Sequence, residues 1–177
     1  NNLLDISRFI IIQGIGGIGK STFMKHLFIN ELSKNDLIPV FIELKDLNDL
    51  DNDYNICDYI FSKLNNLESR FKKDYMGYAL QSGCFLFLLD GYDEIVSDKK
   101  DVFFKKITTF CDKYSENYYI ISSRPYNEFI EFQRFTVLKL CDFNKKQALS
   151  LISKVEFDEK IKCRFIKALE GDLYDRH

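Results

Sequence analysis

Apolar runs alternate along this chain with stretches in which apolar residues recur every three or four positions. Phe9-Ile10-Ile11-Ile12 is short, β-branched and uninterrupted, the pattern of a strand buried on both faces. A glycine-rich turn follows, and Met24, Phe28 and Leu32 at i, i+4 and i+8 predict a helix of about three turns. Ile38–Leu44 reads as a second strand. Its Pro39 has no backbone donor, so the strand starts there or lies at the sheet edge. Residues 46–53 are rich in Asp and Asn and read as a loop. Ile56, Cys57, Ile60, Phe61 and Leu64 then keep helical spacing, and a second short helix is predicted over 68–81, ended by Gly83.

Cys84–Leu89 is again wholly apolar and reads as the third strand. Phe103, Ile107, Phe110, Cys111 and Tyr114 at i, i+4, i+7, i+8 and i+11 form the cleanest amphipathic helix of the chain. Lys99, Lys106 and Lys113 share one of its faces, which reads as solvated, with a polyanion site as the alternative. Tyr118–Ser122 is a fourth strand and Phe135–Leu140 a fifth. Asn144 with Gln147 three residues on predicts a capping box. Ala148, Leu151, Ile152 and Val155 continue that helix. A last helix runs from Asp158, with Ile161, Phe165 and Leu169 on one face and Gly171 as its stop. Strand, helix, strand, helix, repeated, predicts an α/β fold with a mainly parallel sheet covered on both sides.

Composition narrows the classes. The 177 residues amount to about one domain. With 25 Lys+Arg against 27 Asp+Glu the net charge is −2, so no basic field marks a nucleic-acid partner. The longest apolar runs fall far short of the ~20 residues of a membrane span. Five cysteines, Cys57, Cys84, Cys111, Cys141 and Cys163, are widely spaced and form no Cys-x-x-Cys pair. They read as reduced core residues of a cytoplasmic protein. Only His26 and His177 are available as imidazole ligands, which argues against a zinc site. The first residue is Asn1 rather than Met, and the chain is expected to be a piece of something longer.

The strongest chemical signal is Gly14-Ile15-Gly16-Gly17-Ile18-Gly19-Lys20-Ser21. It matches Gly-x4-Gly-Lys-[Ser/Thr] at each fixed position and lies between a predicted buried strand and a helix. Four of the eight glycines sit here, because a backbone that wraps phosphate oxygens with inward amides leaves no room for side chains. The helix that begins near Lys20 points its positive end at the same place. Lys20 is expected to reach the β- and γ-phosphates, and the Ser21 hydroxyl to bind Mg2+.

Two further motifs follow. Leu88-Leu89-Asp90-Gly91-Tyr92-Asp93-Glu94 ends the third strand with three carboxylates in five residues. Asp90, at the strand's carboxyl end, is expected in the Mg2+ shell, with Asp93 or Glu94 placed to polarise an attacking water. Such a cluster is self-repelling without a positive neighbour. Tyr118–Pro125 closes the fourth strand. Pro125 holds Arg124 to extended backbone, so the guanidinium leaves the strand end where it would meet a γ-phosphate or, alternatively, one of these carboxylates.

Together and in this order, the three motifs resemble the NACHT domain of the STAND class of P-loop NTPases, with 88–94 as the most specific element. The strand Pro39–Leu44, the Ile-Ser-Ser-Arg-Pro run at 121–125 and the stretch Leu138–Ile152 resemble this family too. The resemblance implies a P-loop NTPase fold of the ASCE type, α/β/α in three layers. Its five-stranded sheet would run in the order 5-1-4-3-2 and be followed by C-terminal helices. It implies a nucleotide-binding core over 1–143, and over 144–177 helices of that core or the start of a helical domain. By the same resemblance ATP or GTP lies on Gly14, Ile15, Gly16, Gly17, Ile18, Gly19, Lys20, Ser21 and Thr22. Ser21 and Asp90 hold Mg2+, Lys20, Asp93, Glu94 and Arg124 are the catalytic set, and Arg124 is the sensor. The resembled proteins continue with a helical segment and a winged-helix domain that also touch the nucleotide; nothing up to His177 matches those elements.

The function expected on this basis is a nucleotide-driven switch that hydrolyses slowly and controls self-association of a larger signalling or antiviral-defence protein. Alone, this stretch is expected to be a monomer that binds nucleotide weakly, with no nucleic-acid or membrane partner. A small-molecule kinase would need an acceptor pocket and a basic lid, and no arginine cluster supplies one. A GTPase would need Asn-Lys-x-Asp, which does not occur. A binding-only interaction module would have no use for intact motifs.

Overall fold

The structure, a computed structural model, describes residues 3–65, 73–125, 132–156 and 158–171. The apolar runs become strands β1 (Phe9–Gln13), β2 (Ile38–Glu43), β3 (Phe85–Asp90) and β4 (Tyr118–Ser123). A fifth, β5 (Thr136–Lys139), completes one sheet. All four pairings are parallel, in the order β2-β3-β4-β1-β5. Read from the other edge this is the expected 5-1-4-3-2. Pro39 lies near the start of β2, and β2 is an edge strand, so its missing donor breaks no ladder on the outer side.

The uninterrupted apolar strands are explained by burial on both faces. Along β1, Ile10 and Ile12 join one core cluster while Phe9 and Ile11 join the other. On the first face packs α1 (Lys20–Lys34), through Met24, Phe23, Leu27 and Phe28. On the second pack α2 (Ile56–Asn65), α3 (Lys73–Gln81) and α4 (Ser97–Lys113), through Ile60, Met76, Leu80, Phe103, Ile107 and Phe110. The fold is therefore a three-layer α/β/α sandwich of the P-loop NTPase type. Phe9, Tyr119 and Phe87 stand at one register level across β1, β4 and β3. Their rings stack at centroid distances of 5.3 and 5.2 Å, so aromatic contact reinforces the ladder across the three central strands.

Several expectations need correction. Leu32 does not face the core: it is 52% exposed, and Glu31 takes the buried position, paired to Lys34 at 2.6 Å. The stretch read as a loop at 46–53 opens with a 3-10 helix, Leu44–Asp49, because Leu44 and Leu47 fall three apart and both are buried. The helix predicted over 68–81 is described only from Lys73; positions 68–72 lie outside the described residues. Of the five cysteines only Cys111 is buried, while Cys141 and Cys163 are exposed.

The lysine face of α4 is neither simply solvated nor a polyanion site. Lys99 Nζ donates to Asn48 O at 2.6 Å and Leu50 O at 2.5 Å, and Lys106 Nζ to Tyr54 O at 2.5 Å. These lysines strap the 44–54 segment to the helix. Lys113 stays exposed and lies over the Tyr114 ring.

The contacts divide the chain into two units, Asn1–Leu140 and Cys141–His177. The second holds α5 (Lys145–Lys154) and α6 (Glu159–Glu170), which pack on each other. The capping box forms: Gln147 N–H donates to Asn144 Oδ1 and Asn144 N–H to Gln147 Oε1, both at 2.9 Å. Asp158 caps α6 by accepting from the amides of Lys160 and Ile161. On α6 the predicted apolar face is only partly covered. Leu169 is buried, but Ile161 and Phe165 are exposed.

Asn117, fully buried, locks the opposite edge of the sheet. It accepts from Phe85 N–H and donates to the carbonyls of Leu80 and Tyr114. Asn117→Ala leaves these buried backbone groups without partners and is expected to cost on the order of 3 kcal/mol. Urea denaturation checks this as a fall in midpoint at unchanged slope.

Candidate functional site

Three strand ends converge at the carboxyl edge of the sheet because β4 lies between β1 and β3. The glycine loop leaves β1, Asp90 ends β3, and Arg124 follows β4. Gly14 N–H donates to Ser123 O at 3.1 Å, which carries the β1–β4 pairing into the first residue of the loop. Gly17 and Gly19 adopt φ of 80° and 100°, backbone that only glycine takes without strain. Space beside both is open, with no atom within 4 Å of where a Cβ would stand.

The first turn of α1 supplies free amides. Phe23 N–H donates to Gly19 O at 2.8 Å, which leaves the N–H groups of Lys20, Ser21 and Thr22 without intrahelical partners. Lys20 folds over the loop, with Nζ donating to Gly14 O at 2.7 Å and Ile15 O at 3.0 Å. Gly16, Gly17, Gly19, Lys20, Ser21 and Thr22 form one wall of a cleft of about 280 Å3. Asp90, Gly91, Asp93, Glu94, Ser122 and Arg124 form the other. Of the expected nucleotide set, Gly14, Ile15 and Ile18 stand apart from this lining. Gly14 is buried against Ile18, and Ile15 is 59% exposed.

Partners already on the chain relieve the acidic cluster. Asp93 accepts Arg124 N–H on Oδ1 and Arg124 Nε on Oδ2, both at 3.0 Å. The ion pair that competed with phosphate sensing for Arg124 is thus present. The Arg124 guanidinium also lies over the loop, its Cζ 3.6 Å from where a Gly16 Cβ would stand. Asp90 is buried and accepts the Ser122 hydroxyl on Oδ1. Glu94 is exposed and lines the cleft, and Asn48 pins its turn by bonding Glu94 O and Val96 N–H.

This donor set fits a triphosphate with Mg2+. The first amides of α1 and an ammonium group line the cleft on one side, and on the other stands the Asp90 carboxylate, whose second oxygen has no partner among the described residues. Among the described residues, no three His, Cys, Asp or Glu side chains converge to hold an ion by themselves. Mg2+ binds through one or two protein oxygens together with phosphates and waters, and Ser21 and Asp90 both line this cleft.

Ser122 is a cleft residue that sequence reasoning passed over, although Ser122-Ser123 interrupts an otherwise apolar strand just before Arg124. A second cleft, of about 390 Å3, lies between Asp53–Cys57 and α4. There Lys106 is spent on Tyr54 O, and Asn55 takes the first α2 amides. Among the described residues no helix is long and apolar enough to cross a membrane.

Comparison with known proteins agrees with the geometry. The sequence profile of the NACHT domain matches residues 8–159. Among curated proteins, none matches the chain. The fold is similar to that of AMPPCP-bound DnaA from Aquifex aeolicus, with a TM-score of 0.52 and 13% identity. That match covers 95% of this chain and 55% of the Aquifex chain, so the present sequence spans little over half of that relative. Domain III of the Thermotoga maritima replication initiation protein DnaA is similar at a TM-score of 0.54 and 14% identity, over 93% of this chain and 70% of that one.

The Arg124 side chain is 67% exposed, so its ion pair with Asp93 is worth little to the fold. Arg124→Ala is expected to change unfolding free energy by less than about 1 kcal/mol. Denaturant titration in the absence of nucleotide checks this.

Proposed function

Because the chain belongs to the NACHT domain family, we propose that its cleft binds a nucleoside triphosphate, ATP or GTP, with Mg2+ and hydrolyses it slowly. The observation that carries this reading is the meeting of the unpaired amides of Lys20, Ser21 and Thr22, the Lys20 ammonium and Asp90 across one cleft. On binding, Lys20 exchanges the carbonyls of Gly14 and Ile15 for phosphate oxygens, and the α1 amides accept the negative charge. Ser21 and Asp90 would hold Mg2+, which would neutralise charge on the phosphates.

Between Asp93 and Glu94 as the group that activates water, the contacts favour Glu94. Both Asp93 oxygens are taken by Arg124, whereas Glu94 is exposed on the cleft wall. Asp93 then holds Arg124 over the loop, where a γ-phosphate would compete for the guanidinium. The alternative of a small-molecule kinase is less well supported: its layout would place β1 beside β3, and here β4 separates them.

In a larger protein, the bound nucleotide would govern self-association for signalling or antiviral defence in the cytoplasm. Residues 1–143 would form the nucleotide-binding core, and 144–177 helices of that core or the start of a helical domain. Alone, this stretch would be a monomer with an incompletely enclosed nucleotide and slow turnover, since an open site admits water that weakens charge stabilisation.

Lys20→Ala removes the only ammonium lining the cleft among the described residues and is expected to abolish most Mg-ATP binding in isothermal titration. Parent-like affinity in that variant would overturn the reading. Glu94→Gln is expected to keep binding and slow phosphate release by about 100-fold, the lower range for losing a general base. Asp93→Asn is expected to slow it less.

A further inference from the structure

Ser122 has no role in the reading above, yet its hydroxyl bonds both the Asp90 side chain and the Gly91 amide. It is 1% exposed. It stands one register step beyond the last β3–β4 pair, Leu89 with Ile121. At Gly91 φ is 85°, so the chain leaves the strand direction just after the Gly91 amide. Ser122 Oγ accepts that amide at 2.9 Å, and the same hydroxyl donates to Asp90 Oδ1. A serine hydroxyl has one proton and two lone pairs. Gly91 N–H is a donor and must fall on a lone pair, so the single proton is committed to Asp90.

We propose that Ser122 is a positioning residue that holds the Asp90 carboxylate in one orientation, with Oδ1 anchored and Oδ2 left for the cation that accompanies the nucleotide. This rests on the nucleotide reading above and deepens it. Anchoring one oxygen removes the freedom of the carboxylate to rotate, so no ordering cost remains when the metal arrives. The hydroxyl also fixes the turn that carries Asp93 and Glu94, since it bonds the first amide beyond the strand. Ser123 beside it makes a matched control. It is fully buried, and its hydroxyl has no partner among the described residues.

The test compares ATP binding by isothermal titration, in EDTA and across a Mg2+ series, for the parent chain and four variants. Ser122→Ala is expected to raise the half-saturating Mg2+ concentration about tenfold, the scale seen when a ligand's hydrogen-bond support is removed, with metal-free ATP binding unchanged. Ser122→Thr keeps the hydroxyl and is expected to restore the parent Mg2+ response. Ser122→Cys keeps the volume with a weak donor and should behave like Ala, which preserves the comparison if the alanine variant folds poorly. Ser123→Ala should leave the Mg2+ response in place. An unchanged response in both Ser122→Ala and Ser122→Cys overturns the proposal. So does an equal loss of metal-free and Mg2+-dependent binding, or an equal shift in Ser123→Ala. If the parent shows no Mg2+-dependent ATP binding, the nucleotide reading itself fails, and this outcome is separate from the others.

Discussion

The parallel ladder that seats β4 between β1 and β3 sets the spacing of everything at the carboxyl edge of the sheet. β4 pairs with β3 from Tyr118 to Ile121 and with β1 from Tyr119 to Ser123. Its register is held by side chains buried on both faces, since a slip of one residue would reverse every one of them. The stacked rings of Phe9, Tyr119 and Phe87 add a second restraint across the same three strands. Given that register, Gly14 must meet Ser123, and Asp90 must meet Ser122. The cleft is what remains between the strand ends once the loop has turned away into α1.

Within this frame the charged groups of the cleft are held on the chain itself. Lys20 rests on two carbonyls of its own loop, Arg124 on Asp93, and Asp90 on Ser122. The contacts of Lys20 and Arg124 are polar and replaceable by a phosphate, whereas the bond from Ser122 to Asp90 leaves the second carboxylate oxygen for a cation. None sits deep in the apolar clusters, so exchanging them leaves the core undisturbed. A site of this kind keeps its charges solvated or paired when empty and avoids the cost of isolated buried ions. A phosphate must therefore displace the internal partners of Lys20 and Arg124, which lowers its net affinity.

The strands and the loop were legible in the sequence for physical reasons. Strands buried on both faces leave unbroken apolar runs, as in Phe85–Leu89, and backbone with positive φ demands glycine, as at Gly17 and Gly19. What escaped notice depends on partners distant in the chain. The spacing of Met24, Phe28 and Leu32 continues a helical stripe, but the inner face of α1 ends at Glu31. Lys99 and Lys106 look like a solvated row until the carbonyls of Asn48, Leu50 and Tyr54 are in place beside them. The pairing of Arg124 with Asp93 remained one of two readings, because no periodicity records which of two nearby acceptors a guanidinium chooses. Ser122 was inconspicuous because a serine at a strand end has no spacing signature, and its chemistry is set by Asp90 and Gly91 across the sheet.

The proposed nucleotide site is one cleft, formed by the glycine loop and the ends of β3 and β4. The most direct measurement is amide chemical-shift mapping of the 15N-labelled chain titrated with ATP and Mg2+. Saturable shifts are expected on Gly16, Gly17, Gly19, Lys20, Ser21, Thr22, Asp90, Gly91, Asp93, Glu94, Ser122 and Arg124, the residues that line the cleft. Shifts centred instead on Asp53–Cys57 and Lys105–Tyr114, around the second cleft, or no saturable shift at millimolar ATP, would contradict it.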